Sequence, residues 1–557
     1  MRILQHHVEF IEYQPIEKEI GLAEVTDKKL VRFENIVVLF TCVERDDNKE
    51  VARRSIEDLK SYLEKIKVNR VLIYPFAHLS RDLARPHDAL DIIKEMEVHA
   101  KKLKIETYRA PFGWTKQYAL RIKGHPLAES AKIYTTDEKE ERKPIEIKKL
   151  GKKPTLEKEK LSDNDHRIIG QQLDLYSFHE VAPGMVFFHN KGVLLRNLLV
   201  DFSRKAQLER GYQEVSTPAI VNKNLWEISG HLEHYKNLMF FTELEDNEFA
   251  IKPMNCPEAI LIFKTKTRSY KDLPIRLAEF GMLHRNELSG VLSGLFRVRS
   301  FLQDDAHIFV TPEQLEDELL KVIDLTDYFY KTFDFPYTVE LSTRPEKFMG
   351  EIKLWDKAED ALKEALKRKK MKYKIKAGEG AFYGPKIDFH IKDSLGREWQ
   401  LATVQIDFQL PERFELAYTG EDGKQHSPVI VHRAIYGSLE RFIGILVEHY
   451  QGKFPVWLSP VQVRVLPISD DNIKYAEGVM GKLKGNDVRV EIGKETSTIE
   501  NKIRNGILQK IPYLIIVGKK EETDKTVAVR TRDGKVKYGV KLDDFVKQLK
   551  DETNNFK

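Results

Sequence analysis

Between Arg276 and Phe309 the chain reads RLAEFGMLHRNELSGVLSGLFRVRSFLQDDAHIF, which gathers charged and ring-bearing residues between apolar runs. His284-Arg285-Asn286-Glu287 is followed by a Gly/Ser-containing turn, then by Arg297 and Arg299 on a second apolar run. Two strands joined by a loop would aim Arg285 and Arg297 into one cleft. A guanidinium donates two parallel, charge-assisted hydrogen bonds, which suits phosphate. A solvated hairpin with surface arginines is the alternative. Cys256, His307 and His432 are metal-ligating types, but their spacings are far too long for a zinc finger. Spacing alone therefore gives no metal site, and a lone buried cysteine ordinarily behaves as a small hydrophobe.

The elements that must position these residues fall into several blocks. Residues 1–130 read as an α/β unit, with strand-like runs at Ile36–Phe40 and Arg70–Tyr74 and helical periodicity around Ser55–Ile66 and Asp88–Leu103. From Asp137 to Lys160 the chain is charged and aperiodic, as solvated linkers are. Strands are predicted at Tyr337–Leu341 and Lys386–Ile391, alternating in polarity as half-buried antiparallel strands do. After Pro460 a smaller βαβα pattern places strands at Val461–Leu466 and Tyr513–Val517, with helices near Asn472–Leu483 and Thr498–Gln509. The expected divisions are 1–135, a linker at 136–164, 165–459 and 460–557.

The 557 residues exceed one ordinary core, and 41% hydrophobic with 32% charged residues describes a globular chain. No stretch approaches the ~20 apolar residues that cross a bilayer. The N-terminus lacks the apolar segment of a signal peptide, so no membrane and a cytoplasmic location are expected. Two cysteines, Cys42 and Cys256, exclude a disulfide framework. The net charge of +5 permits a nucleic-acid partner without requiring one. Neither GxxxxGK[ST] nor a GxGxxG following a strand occurs, so a nucleotide site must use another architecture.

The segment HRNE…RVR…FLQDDAHIF resembles motif 2 of class II aminoacyl-tRNA synthetases in its threonyl form. Gly437-Ser438-Leu439-Glu440-Arg441 resembles motif 3, and Gly211–Pro218 resembles motif 1, whose helix and strand form dimers. The HIGH and KMSKS signatures of class I are absent. The resemblance is to threonyl-tRNA synthetases of archaeal type. It implies a multidomain α/β and α+β fold: a D-aminoacyl-tRNA deacylase-like N-terminal domain, a class II antiparallel-sheet core and a small α/β anticodon-binding domain. It also implies a homodimer that uses ATP with Mg²⁺, L-threonine and tRNA(Thr). By the same resemblance, Arg285 would hold the α-phosphate and the amino-acid carboxylate. Glu287 would read the adenine amino group, Arg297 and Arg441 would hold the terminal phosphates, and His231 would serve transfer to tRNA. Cys256, His307 and His432 would bind one Zn²⁺ per subunit. Asp305 would accept the substrate hydroxyl, with Met254, Gln303 and Tyr383 as further contacts and Gln405 lining the pocket.

Serine also offers an amino group and a hydroxyl, so pocket binding alone discriminates by roughly 10–200-fold and a hydrolytic sieve is expected. Residues 1–130 resemble the archaeal editing domain through Tyr74–Ser80, Arg109–Trp114 with Lys116, and Lys123–Glu129. His78, Lys116 and Glu129 fall at its functional positions. Thr115 stands where that family often has Tyr, so no phenol is present at that position. The C-terminal unit resembles a class IIa anticodon-binding domain, with Glu521 and Arg530 at base-reading positions. Glu495-Thr496-Ser497-Thr498 departs from the usual turn of that family. Two rivals are weighed: a class II enzyme of other specificity, such as prolyl, and an editing-only or tRNA-binding paralogue. The zinc-ligand trio argues against the first, and the full arginine set against the second.

Overall fold

A computed structural model describes residues 1–80, 82–134, 161–245, 247–393 and 396–556. Positions 136–160 of the expected linker lie outside the described residues. The chain divides into two compact units, Met1–Ile145 and Glu146–Lys557. Among the described residues no helix is long and apolar enough to cross a membrane.

The first unit contains β1 (Arg2–Lys18), β2 (Val31–Cys42), α1 (Lys49–Ile66), β3 (Arg70–Pro75), α2 (Pro86–Lys102), β4 (Glu106–Arg109), β5 (Trp114–Ile122) and β6 (Glu129–Ile133). The sheet runs β4-β3-β2-β1-β5, and β6 also pairs with β1. The α1 and α2 crossovers keep β2, β3 and β4 parallel, whereas β1 is antiparallel to its neighbours. Period-two alternation sorts the faces. Val37, Leu39, Val71 and Ile73 pack on Ile56, Leu59, Ile93 and Met96 of the two helices. Ile36, Val38, Phe40, Leu72 and Tyr74 build a second core on the other face. The first helix begins earlier than its periodicity predicts because the Asn48 side chain accepts from the Glu50 and Val51 amides, both at 3.0 Å.

The second unit is built on an eight-stranded sheet: β7 (Gln213–Glu214), β8 (Ile275–His284), β9 (Ser300–Val310), β10 (Tyr337–Ser342), β11 (Tyr373–Lys376), β12 (Lys386–Lys392), β13 (Glu398–Asp407) and β14 (Val429–Ser438). Its order is β11-β10-β12-β13-β14-β9-β8-β7. The six central strands are antiparallel, and only the edge strands β11 and β7 join in parallel. The strands predicted at 337–341 and 386–391 are direct antiparallel neighbours. One face is covered by helices α3 (Asn190–Leu208), α5 (Leu315–Thr332), α6 (Ile352–Arg368) and α7 (Leu439–His449), with α4 being Cys256–Lys264. Ala306, Ile308, Val404, Ile406 and Val431 point into that core. Alternation therefore leaves Asp305, His307, Thr403, Gln405 and His432 on the opposite face, open to a site.

The same unit ends in a five-stranded sheet of β15 (Val463–Pro467), β16 (Val490–Ile492), β17 (Tyr513–Val517), β18 (Val527–Thr531) and β19 (Val536–Val540), ordered β16-β15-β17-β18-β19. The first three are parallel and the last two antiparallel. It has its own core, including Val463, Val479, Ile515 and Phe545. The helix expected at Thr498–Gln509 is Ile499–Leu508, with the Thr498 hydroxyl accepting from the Asn501 amide.

Candidate active site

Sheet register assembles what spacing kept apart. His307 lies opposite His432 on β14, His432 lies opposite Gln405 on β13, and Gln405 lies opposite Lys386 on β12. Two residues along, Asp305, Ala434, Thr403 and Asp388 form a second row. Cys256 arrives separately, at the start of α4. Ligand atoms of Cys256, His307 and His432 all lie within 4.8 Å of one another, and all three residues are buried. His432 Nε2 lies 3.0 Å from Asp407 Oδ2. The other oxygen of Asp407 accepts the Gln409 and Leu410 amides at 2.7 and 3.0 Å. An acid-facing Nε2 carries the ring proton, which leaves a lone pair on Nδ1.

That Nδ1 and the Nε2 of His307 are both buried without a hydrogen-bond partner. Burial holds His307 well below its ordinary pKa and pushes the Cys256 thiol well up. Two orphaned imidazole nitrogens beside a buried sulfur, one ring oriented by a carboxylate, form a donor set that fits zinc. Asp305 stands beside them, its carboxylate accepting from Asn255 Nδ2 at 3.1 Å and its pKa raised mainly by burial. Asn255 can approach because residue 281 is glycine; a Cβ there would lie 2.2 Å from Asn255 Oδ1.

One cavity of about 420 Å³ reaches Cys256 and His432 and is lined by Arg285, Glu287, Arg297 and Arg441. Met254, Gln303, Asp305, Tyr383 and Gln405 line it too. Its apolar neighbours predict Arg297 on the second strand, but the structure places it before that strand begins. It sits in the turn before β9, where its carbonyl accepts from Ser293 at 3.2 Å, and its Nε is 3.2 Å from Glu287. Arg441 is packed over Trp399 and donates to the carbonyls of Phe296 (2.9 Å) and Gln400 (3.1 Å). Burial, then the charges of Arg285 and Arg297, lower its pKa to about 10. Three converging guanidiniums with one carboxylate among them leave positive charge to be neutralised, and a polyphosphate would do so.

His231 stands behind this wall rather than on it. It is fully buried, with Nδ1 2.9 Å from Ser229 Oγ and Nε2 3.2 Å from Met254 Sδ. Burial lowers its pKa to about 3, so the ring is neutral at physiological pH. Lys386, Gln400 and Thr403 also line the cavity and were missed by motif reading. Asp388 ties them together, accepting from all three at 2.5–2.9 Å. Strand register is the signal that places them.

Residues 240–450 match the model of the tRNA synthetase class II core domain (G, H, P, S and T). Residues 1–133 match that of the Archaea-specific editing domain of threonyl-tRNA synthetase, and residues 462–552 that of the anticodon binding domain. A crystal structure titled as the RNA binding domain of threonyl-tRNA synthetase from Cryptosporidium parvum Iowa II is 43% identical. It superposes with a TM-score of 0.68 over 70% of this chain and 98% of that one. The chain belongs to the threonyl-tRNA synthetases. The threonine–tRNA ligase of Caldanaerobacter subterraneus subsp. tengcongensis is 56% identical over 391 residues, and that of Desulforamulus reducens 54% over 398. These alignments cover 70% and 71% of this chain, but only 61% and 62% of the relatives' length.

In the N-terminal unit of this synthetase-family chain, His78 and Lys116 line a separate cavity of about 600 Å³, with Cys42, Tyr74 and Tyr118. Lys116 Nζ donates to the carbonyls of Trp114 (2.8 Å) and Pro111 (3.2 Å) and lies 5.1 Å from the Tyr74 ring centre. Burial lowers its pKa to about 8, offset in part by Glu19. The Thr115 hydroxyl donates to Glu19. Glu129 is not brought to this cavity. It opens β6 opposite His6 of β1, its carboxylate 3.6 Å from His6 Nε2, because the β1–β6 pairing dictates that position. In the C-terminal part, Glu521 Oε2 accepts the Gly518 amide at 3.0 Å, closing the first turn of the helix Lys519–Asp524. Arg530 lies on β18 opposite Leu514.

Proposed function

We propose that this chain ligates L-threonine to tRNA(Thr) through a threonyl-adenylate, using ATP with Mg²⁺. One observation carries the reading: a single cavity joins three arginines to a buried Cys/His/His cluster with Asp305 beside it. In the first step, a threonine carboxylate oxygen attacks the α-phosphorus of ATP and pyrophosphate departs. Arg285 orients the carboxylate and α-phosphate, while Arg297 and Arg441 hold the leaving pyrophosphate; the catalysis is mainly positioning and charge stabilisation. Glu287 receives the adenine amino group.

Cys256, His307 and His432 would hold one Zn²⁺, which supplies Lewis-acid recognition of the amino and hydroxyl groups. Asp305 accepts a hydrogen bond from the hydroxyl, and Met254, Gln303, Tyr383 and Gln405 close around the side chain. Valine lacks the hydroxyl, so a site built to hydrogen-bond it rejects valine strongly. His231, neutral and pinned between Ser229 and Met254 behind the cavity wall, serves transfer to the terminal ribose by positioning Met254 rather than as a cation.

Residues 1–135 act as an editing domain of the archaeal type and hydrolyse Ser-tRNA(Thr) in the His78/Lys116 cavity. Residues 460–557 read the anticodon, with Arg530 available and Glu521 requiring release from its helix cap. A homodimer through motif 1 and a cytoplasmic location complete the proposal. Amino-acid-dependent ATP–pyrophosphate exchange tests it: threonine drives exchange, valine and proline do not, and exchange supported by proline alone refutes the assignment.

A further inference from the structure

The loop from Ser289 to Arg299 is a thin partition. Phe296, Arg297 and Val298 line the arginine cavity, while Leu292, Gly294 and Arg297 line a second cavity of about 450 Å³ on the other side. This loop also supplies the Phe296 carbonyl that accepts from Arg441 Nε at 2.9 Å. Its position therefore sets two of the three guanidiniums.

One buried side chain holds it. The Leu295 amide donates to His166 Nε2 at 3.0 Å, and His166 Nδ1 lies 2.8 Å from Glu448 Oε1. An amide donor fixes Nε2 as the acceptor, so the ring proton sits on Nδ1 and is given to Glu448. Glu448 also accepts the His166 backbone amide at 3.2 Å. The imidazole packs on the Phe296 ring at 4.1 Å between centres. Gly294 turns against it with φ +51°, and a Cβ there would lie 2.3 Å from His166 Nε2. Glu448 is in the last turn of α7, whose first turn carries Arg441. Around this group, Asp165 is paired with Arg167 at 2.7 Å, and Arg397 approaches Glu448 at 4.0 Å. Both ring nitrogens of His166 are thus engaged, unlike those of the Cys256–His307–His432 cluster.

We propose that His166 is a positioning residue for nucleotide binding. By accepting from Leu295 and donating to Glu448, it clamps the arginine-bearing loop to α7, so that Arg297 and Arg441 face one phosphate chain. This rests on the reading of the arginine cavity as the ATP site.

The test uses threonine-dependent ATP–pyrophosphate exchange by the full-length chain. His166→Asn retains a donor near Nδ1 but cannot reach Leu295, whereas His166→Gln can place an amide oxygen near Nε2. The Asn variant should raise the ATP KM about tenfold, equivalent to ~1.4 kcal/mol and within the range for an orphaned buried amide. Its threonine KM and kcat should stay within about twofold of wild type, and Gln should restore the ATP KM to within about threefold, as a lost acceptor and not a lost fold requires. Gly294→Ala displaces the loop from an intact His166 and should raise the ATP KM selectively as well, so the idea survives a poorly folding His166 variant. Equal defects in Asn and Gln, or threonine and ATP KM values rising together, would overturn the inference. An unchanged ATP KM in both His166→Asn and Gly294→Ala would overturn it alone, while a wild-type chain with no exchange would overturn the functional reading beneath it.

Discussion

Lys116 offers a quantitative check on the N-terminal cavity. Its pKa falls from 10.5 to about 8 because burial outweighs the attraction of Glu19. That displacement corresponds to ~3 kcal/mol of folding free energy, at ~1.4 kcal/mol per tenfold change. Below pH 8 both folded and unfolded chains carry the charge, and the folded state bears the full penalty. Between pH 8 and 10.5 the folded chain has released the proton that the unfolded chain still holds, so stability rises with pH. Above 10.5 the penalty is gone.

Lys116→Met removes the penalty at every pH, while the carbonyls of Trp114 and Pro111 lose their donor by a pH-independent amount. Urea unfolding of residues 1–135 should therefore show the variant gaining on wild type by ~2–3 kcal/mol more at pH 6.5 than at pH 10. An equal stability difference at the two pH values would refute the buried-lysine account. So would a gap that widens with pH.

Three further outcomes follow from the geometry. Lys116→Ala should slow hydrolysis of Ser-tRNA(Thr) by the intact chain, read as release of labelled serine; an unchanged rate would remove Lys116 from editing. Arg441→Gln exchanges a buried cation for a neutral amide and should lower kcat/KM for ATP by about 10–100-fold, as expected when a charge-assisted hydrogen bond of ~1.5–3 kcal/mol is lost. Exchange kinetics report it, and a change under about threefold would contradict its phosphate role. Asp407→Asn keeps an oxygen for the Gln409 and Leu410 amides but turns an NH₂ donor toward His432 Nε2 where the carboxylate had accepted. Zinc affinity measured by chelator competition should fall about 10–100-fold, and undiminished affinity would argue against the assigned ring orientation.

Much of the arginine side of the candidate site was legible because its residues sit within two short motifs, and a short loop brings Arg285 and Arg297 to one cavity. The second arginine was misplaced by one element, since the apolar residues around it, Phe296 and Val298, are buried in a turn rather than on a strand. The clustering of Cys256, His307 and His432 was invisible to spacing. His307 and His432 become neighbours only through the β9–β14 register, which depends on every pairing between them. The first strand escaped periodicity for a local reason: Gln5, His6 and His7 are buried polar residues, and a register shift between Val8 and Phe10 interrupts the alternation. Glu129 and Glu521 show the limit of motif transfer. Each occupies the expected position in the chain, yet one faces His6 and the other caps a helix.

Aminoacylation measures the proposed nucleotide site and the proposed threonine pocket together. Purified full-length chain with Zn²⁺, Mg²⁺ and ATP should charge tRNA(Thr) with radiolabelled threonine. Cys256→Ala should abolish that product. Efficient charging with another amino acid in threonine's place, or unimpaired threonylation by the Cys256 variant, would contradict the account.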